Sequence, residues 1–139
     1  MPVPTGSNAL QSAIYTRLTS ELSEDVYDHI PQNASYPFVV IGADTVLPWD
    51  TKVGLIGFEF TVMIHAWTKP AAGRKSVKAI LSDIYDALHH QESNISPSGY
   101  SVILFRFEFE DTIQETFEGD SDHYYHGVQR YRALIQSTS

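Results

Sequence analysis

A chain of 139 residues with 17 acidic and 9 basic side chains, a formal charge of −8 and no cysteine rules out several kinds of protein at once. It has room for one core rather than two, it has no thiol for a disulfide, a thiolate zinc site or a nucleophile, and its charge is the wrong sign for gripping phosphates. With 42% hydrophobic and 19% charged residues it has the balance of a folded domain, and no apolar run approaches the roughly 20 residues of a membrane helix.

The first stretch, MPVPTGSNAL, has neither the basic start nor the apolar centre of a signal peptide. The expectation is a single α+β domain over residues 1–139, with residues 1–6 as a flexible arm, used in a cytosol-like space. Ser7 or Asn8 is placed to cap a first helix. Leu10, Ile14, Leu18 and Leu22 recur every fourth residue beside Ala13, one apolar stripe, with Gln11, Arg17 and Glu21 toward water. Val26 to Ile30 extends briefly before Pro31, and Pro31 to Pro37 is turn-rich.

Phe38 to Ile41 is a continuous apolar run between Pro37 and Gly42, the mark of a buried strand. Residues 43–52, with Pro48, Trp49 and Asp50, read as a loop. From Val53 to Trp67 the alternation is long: Phe58, Phe60, Val62, Ile64 and Ala66 on one face, Glu59, Thr61, Met63, His65 and Trp67 on the other. A second helix runs from about Arg74 to His90, because Val77, Ile80, Leu81, Ile84, Tyr85 and Leu88 keep helical spacing.

Tyr100 to Ile113 reads as a strand with Ile103, Phe105, Phe107 and Phe109 on one face and Arg106, Glu108 and Glu110 on the other. Residues 115–127, rich in acids and carrying His123 and His126, read as a polar loop. Val128 to Gln136 closes the fold. The order is α-β-β-α-β-β, which predicts a mostly antiparallel sheet of four strands or slightly more, with both helices on one face.

Chemistry is sparse. Gly-rich phosphate loops and the short metalloprotease, hydrolase and calcium motifs are absent. His89 and His90 adjoin on a helix, about 100° apart, and do not chelate one ion easily. His123 and His126, with Asp120 and Asp122 near them, are a possible metal set that lacks assured third and fourth ligands. Glu108 and Glu110 stand about 7 Å apart along a strand, whereas a retaining glycosidase holds its carboxyls at about 5 Å in a deep cleft. Trp49 and Trp67 suit a core edge or an interface better than a stacking platform. No cofactor, metal or catalytic residue is therefore assigned. Two long strands with a mixed second face, and two long polar segments, suit a domain that packs beside copies of itself. The rival readings are a metal-assisted enzyme using His123 and His126, and an adaptor taking a peptide along a sheet edge.

Four segments, LQSAIYTRL, VYDHIPQNASYPFVVIG, FEFTVMIHAWTKPAAGRKSVKAILSDIYDALH and HGVQRYRALIQ, resemble those of phage tail-completion, or head–tail joining, proteins, which also occur in prophages and gene transfer agents. The resemblance runs over about residues 8–136. It implies a tail-terminator-like α+β fold and no enzymatic role. It also implies a virion ring, expected to be a hexamer, that caps the head-proximal end of the tail tube. The implied partners are copies of the chain, the tail tube protein and the head connector. DNA would pass through without specific binding, no membrane is involved, and assembly would take place in the host cytoplasm. On this account Trp49, Asp50, Trp67, Glu115, Glu118, Asp120, His123, Tyr124, Tyr125 and His126 are interface candidates. Glu108 and Glu110 are candidates to face the lumen. Tyr27, Asp28, His29, Pro31 and Pro37 fix the turn into the first strand.

Overall fold

Two apolar stripes decide where the helices sit. In the computed structural model, which describes residues 5–49, 56–69, 73–116 and 123–138, helix α1 spans Ser7–Glu21 and helix α2 spans Gly73–Leu88. Helix α1 buries Leu10, Ala13, Ile14 and Leu18, and Leu22 is buried just past its end. Helix α2 buries Val77, Ile80, Leu81, Ile84, Ala87 and Leu88. The expected cap is different: α1 begins after Gly6 in a left-handed conformation (φ 80°), and neither Ser7 nor Asn8 caps it. Instead the Ser7 N–H donates to Thr5 Oγ1 at 3.4 Å.

Arg17 does not simply face water. Its Nε donates to the Ala87 carbonyl at 2.8 Å and its Nη2 to Gln91 Oε1 at 3.3 Å. The Ala87 carbonyl belongs to the last turn of α2, where unpaired carbonyls concentrate negative potential. A guanidinium from α1 satisfies one of them and ties the helix pair.

The sheet has five strands: β1 (Asp25–Tyr27), β2 (Phe38–Pro48), β3 (Gly57–Thr68), β4 (Tyr100–Thr116) and β5 (His123–Ser137). Their spatial order is β1-β2-β3-β5-β4. All pairs are antiparallel except β1, which pairs parallel with β2. The sheet is thus mixed rather than four-stranded and antiparallel, and the element order is α-β-β-β-α-β-β. A three-residue strand such as β1 is too short to display a period, so only its pairing reveals it.

One face of the sheet meets both helices. Val39 and Ile41, Phe60, Val62, Ile64 and Ala66, Phe105, and Tyr131, Ala133 and Ile135 join the two helical stripes in one buried cluster. Each such large side chain contributes roughly 1.5–3 kcal/mol when fully buried. Helix α2 lies close on β5: a Cβ at Gly127 would come within 2.6 Å of Leu81 Cδ1. At the other end, a Cβ at Gly57 would collide with the Trp49 carbonyl, so the chain closes tightly there.

Three irregularities correct the expected pattern. A register shift between Ile41 and Asp44 lets β2 continue to Pro48, through residues expected to begin a loop. Strand β4 likewise runs to Thr116 and β5 starts at His123, so much of the expected 115–127 loop is strand. Most consequential are two shifts in β4, between Val102 and Leu104 and between Phe107 and Phe109. The chain after α2 supplies acceptors to this edge. Glu92 Oε2 takes the Phe105 N–H at 3.0 Å and His89 Nδ1 takes the Phe107 N–H at 3.1 Å. Each bulge adds one residue and flips the downstream alternation to the opposite face. Phe105 is buried and Phe107 packs on the core, but Ile103 and Phe109 are 48% and 41% exposed. The predicted four-residue apolar row is therefore broken at both ends.

Candidate functional site

Neither helix lies over the opposite face of the sheet, and at one end the chain before β2 crosses it, where Tyr36 packs on Phe38 and Tyr124. This face is the surface on which strands β2 to β5 can present side chains to a partner. Its centre is a charged lattice. Arg132 grips Glu59 with two bonds, Nε–Oε1 at 3.1 Å and Nη2–Oε2 at 3.4 Å. Arg130 pairs with Glu108 at 3.3 Å and lies 5.4 Å from the Phe109 ring centroid. Arg106 stands directly across the ladder from Arg132.

One end of this face holds an aromatic and histidine cluster. The register sets Trp67 of β3 opposite His126 of β5, and the two rings stack at 4.0 Å and 5°. His65, two residues before Trp67 and so on the same face, brings its Nδ1 to 2.7 Å from His126 Nε2. Glu115 of β4 places Oε2 3.6 Å from His126 Nδ1. Tyr36 and Tyr124 stack with centroids 5.0 Å apart, and Tyr36 also leans on Phe38 at 4.9 Å.

A contact of 2.7 Å between two imidazole nitrogens requires one donor and one acceptor. The pair accommodates one proton between the rings, and a second would set two N–H groups against each other. His126 Nδ1 is buried without a hydrogen-bond partner, and the Glu115 carboxylate lies just beyond bonding distance of it. The tautomer with Nδ1–H toward Glu115 and Nε2 accepting from His65 best suits these surroundings. Burial, and next the neighbouring His126, push the His65 pKa below its ordinary 6.5, with Glu115 opposing them.

Of the residues expected to form an interface, the fold brings Trp67, Glu115, Tyr124 and His126 to the same end of the sheet. Tyr125 faces the helices, where Arg74 lies 5.5 Å from its ring centroid. Trp49 sits at the opposite end of β3, its N–H donating to the Gly57 carbonyl at 2.8 Å. Asp50, Glu118 and Asp120 lie outside the described residues, as does the side chain of His123. Glu108 and Glu110 do not share a face. Glu108 meets Arg130 on the open side, whereas Glu110, beyond the bulge, accepts a bond of 2.7 Å from Gln129 Nε2 on the helix side.

His65 was not among the expected site residues. Its partner is 61 positions away, and only the β3–β5 register reveals the pairing. His89 is occupied by the Phe107 N–H rather than by a metal-binding role with His90. Among the described residues no group of three or more histidines and carboxylates is arranged to hold a metal ion.

No curated protein matches the chain in sequence. In fold it is similar to a chain from the virion of a native gene transfer agent particle, with a TM-score of 0.78 over 94% of this chain and 97% of that chain, at 22% sequence identity. The family model of tail completion protein gp17 matches residues 12–136, a span that takes in most of α1, all of α2 and nearly the whole sheet. The chain belongs to the tail completion protein gp17 family and is a structural protein of a phage-type tail.

Proposed function

We propose that the chain forms a hexameric ring with copies of itself, ends the tail tube at its head-proximal side and joins it to the head connector. DNA passes through the ring without specific binding. The observation that carries this reading is the family match across residues 12–136. Two physical features support it. A formal charge of −8 suits a wall past which DNA moves without sticking. A sheet face with no helix over it, bearing both charged pairs and aromatics, suits contact with neighbouring protein.

Within that assembly the cluster of Trp67, Glu115, Tyr124 and His126 is the proposed contact at one end of the sheet, and Trp49 marks a second at the other. Glu108 is the member of the acidic pair that the open face can offer to a lumen. The ring assembles in the host cytoplasm and stays in the virion. Particles made without this chain test the reading. Overlong tubes and tail-less heads are the expected outcome under electron microscopy. Tails of normal length, attached to heads, would sink it.

A further inference from the structure

Six large hydrophobic side chains are well exposed among the described residues: Tyr15, Ile30, Leu47, Ile103, Phe109 and Ile113. Five of them gather at opposite edges of the sheet. Tyr15 lines a groove of about 460 Å³ between α1 and β1, together with Val26, Tyr27 and Asp28, and Ile30 lies just beyond β1. Ile103, Phe109 and Ile113 lie on β4, the edge strand at the far side.

The two edges also differ in where basic residues fall. Glu24, Asp25 and Asp28 lie in or beside β1, and no lysine or arginine occurs from Leu18 to Thr51. Glu24 Oε1 is buried with no hydrogen-bond partner. At the β4 edge the acids have partners within the molecule, of which Arg130 alone carries a permanent charge. Glu108 holds Arg130, Glu110 accepts from Gln129, Asp111 takes the Thr112 N–H, and Glu115 faces His126. Arg106 is different. It is exposed, it sits opposite Arg132, and Arg132 is already committed to Glu59. Like charges directly across a ladder are unfavourable, so Arg106 calls for a carboxylate from outside. Strand addition cannot supply it at this level, because Glu92 and His89 already occupy the outward N–H groups of Phe105 and Phe107. Contact here must run through side chains.

We propose that Ile103, Arg106 and Phe109 at the β4 edge of one copy seat against Tyr15, Asp25, Asp28 and Ile30 at the α1–β1 edge of the next. The two surfaces are different patches of the same chain, on opposite sides of it. Such a heterologous contact repeats head to tail instead of stopping at a dimer, and it makes a ring where the rotation from copy to copy closes. The pairing rests on the ring reading above and names the surfaces that would build it.

Light scattering on the full chain, alone and with tail tube and connector proteins, tests it. Arg106→Glu should weaken association at least about tenfold, as loss and reversal of an interfacial charge pair does. The double variant Asp25→Lys, Asp28→Lys should do the same. Mixing the two variants should restore association, because every contact in an alternating ring then joins opposite charges. Phe109→Ser gives a second route should Arg106→Glu fail to fold, which its circular-dichroism melt would reveal. The chain has no native cysteine, so Ile103→Cys with Asp28→Cys should yield a ladder of disulfide-linked multimers on oxidation. Wild-type rings with unaffected variants and no ladder would overturn the edge pairing and leave the ring standing. A wild-type chain that stays monomeric with both partners present would overturn both.

Discussion

Strand β5 carries a polar cluster on each face, and the two are completed to different degrees. Under the helices, Gln129 is fully buried and both ends of its amide are used. Nε2 donates to the Leu81 carbonyl at 2.9 Å and to Glu110 at 2.7 Å, while Oε1 accepts from the Tyr131 hydroxyl at 2.7 Å. Burial, and next the Glu110 charge, hold the Tyr131 hydroxyl well above its usual range, so it remains a donor. On the open face His126 has one nitrogen bonded to His65 and the other without a hydrogen bond, with a carboxylate at 3.6 Å. Where no water reaches, an unpaired polar atom costs its full desolvation, and the helix side leaves none at Gln129. The open face keeps one such atom, the buried Nδ1 of His126, and so it is the face where a small movement of Glu115 or contact from a neighbour completes the set.

Core truncation separates the two faces most strongly. Phe60→Ala should destabilise by about 3–5 kcal/mol, whereas Met63→Ala, on the open face of the same strand, should cost about 1 kcal/mol or less. Urea titrations of the two variants would read the gap, and equal losses would mean that the open face is covered too. Next in size is Gln129→Leu, which leaves the buried Tyr131 hydroxyl without its acceptor and removes the bonds to Glu110 and to the Leu81 carbonyl, the last of which keeps its helical bond. A loss of about 2–3 kcal/mol is expected, against about 1 kcal/mol for Tyr131→Phe, which removes one donor. A Gln129→Leu protein as stable as wild type would show that the network contributes nothing net.

The histidine pair gives a smaller, pH-dependent effect. The folded-state pKa of His65 is lowered from 6.5, so the unfolded chain binds the proton more readily. The stability associated with a neutral His65 is therefore present above about pH 6.5 and is lost as pH falls below it toward the folded value. Melting temperature should drop across that window in wild type and more shallowly in His65→Gln, while coincident curves would remove the pair from the explanation. The smallest effect concerns the exposed lattice. Arg132→Ala should change stability by no more than about 0.5 kcal/mol in moderate salt, since both partners of its bond to Glu59 are partly in water.

Legibility in the sequence followed the range of the interactions. The stripes of α1 and α2 and the alternation of β3 repeat over many residues, so local pattern suffices to place them. The faces of β4 depended on His89 and Glu92, whose bonds to Phe107 and Phe105 span 18 and 13 residues. Nothing local in YSVILFRFEFE announces that an extra residue is accommodated twice. Strand β1 was too short for periodicity. The candidate site was legible as a set of residue types, since Trp67, Glu115, Tyr124 and His126 were all expected at an interface. Its geometry required the β3–β5 register that joins His65 to His126.

The bulge at Glu108 works like a frameshift read in pleats rather than codons. Between the two bulges of β4, even-numbered residues point to the open face; beyond the second, odd-numbered ones do, which is how Phe109 comes to stand outside and Glu110 inside. Glu108 is the spare letter. Deleting it would remove the extra residue and leave Phe109 outside and Glu110 inside, so the Gln129 network should survive while Arg130 loses its carboxylate. Deleting Thr112 with the bulge kept at Glu108 leaves the loss uncompensated. It would send Ile113 under the helices and turn Glu115 away from His126. In this strand, length parity carries as much information as residue identity.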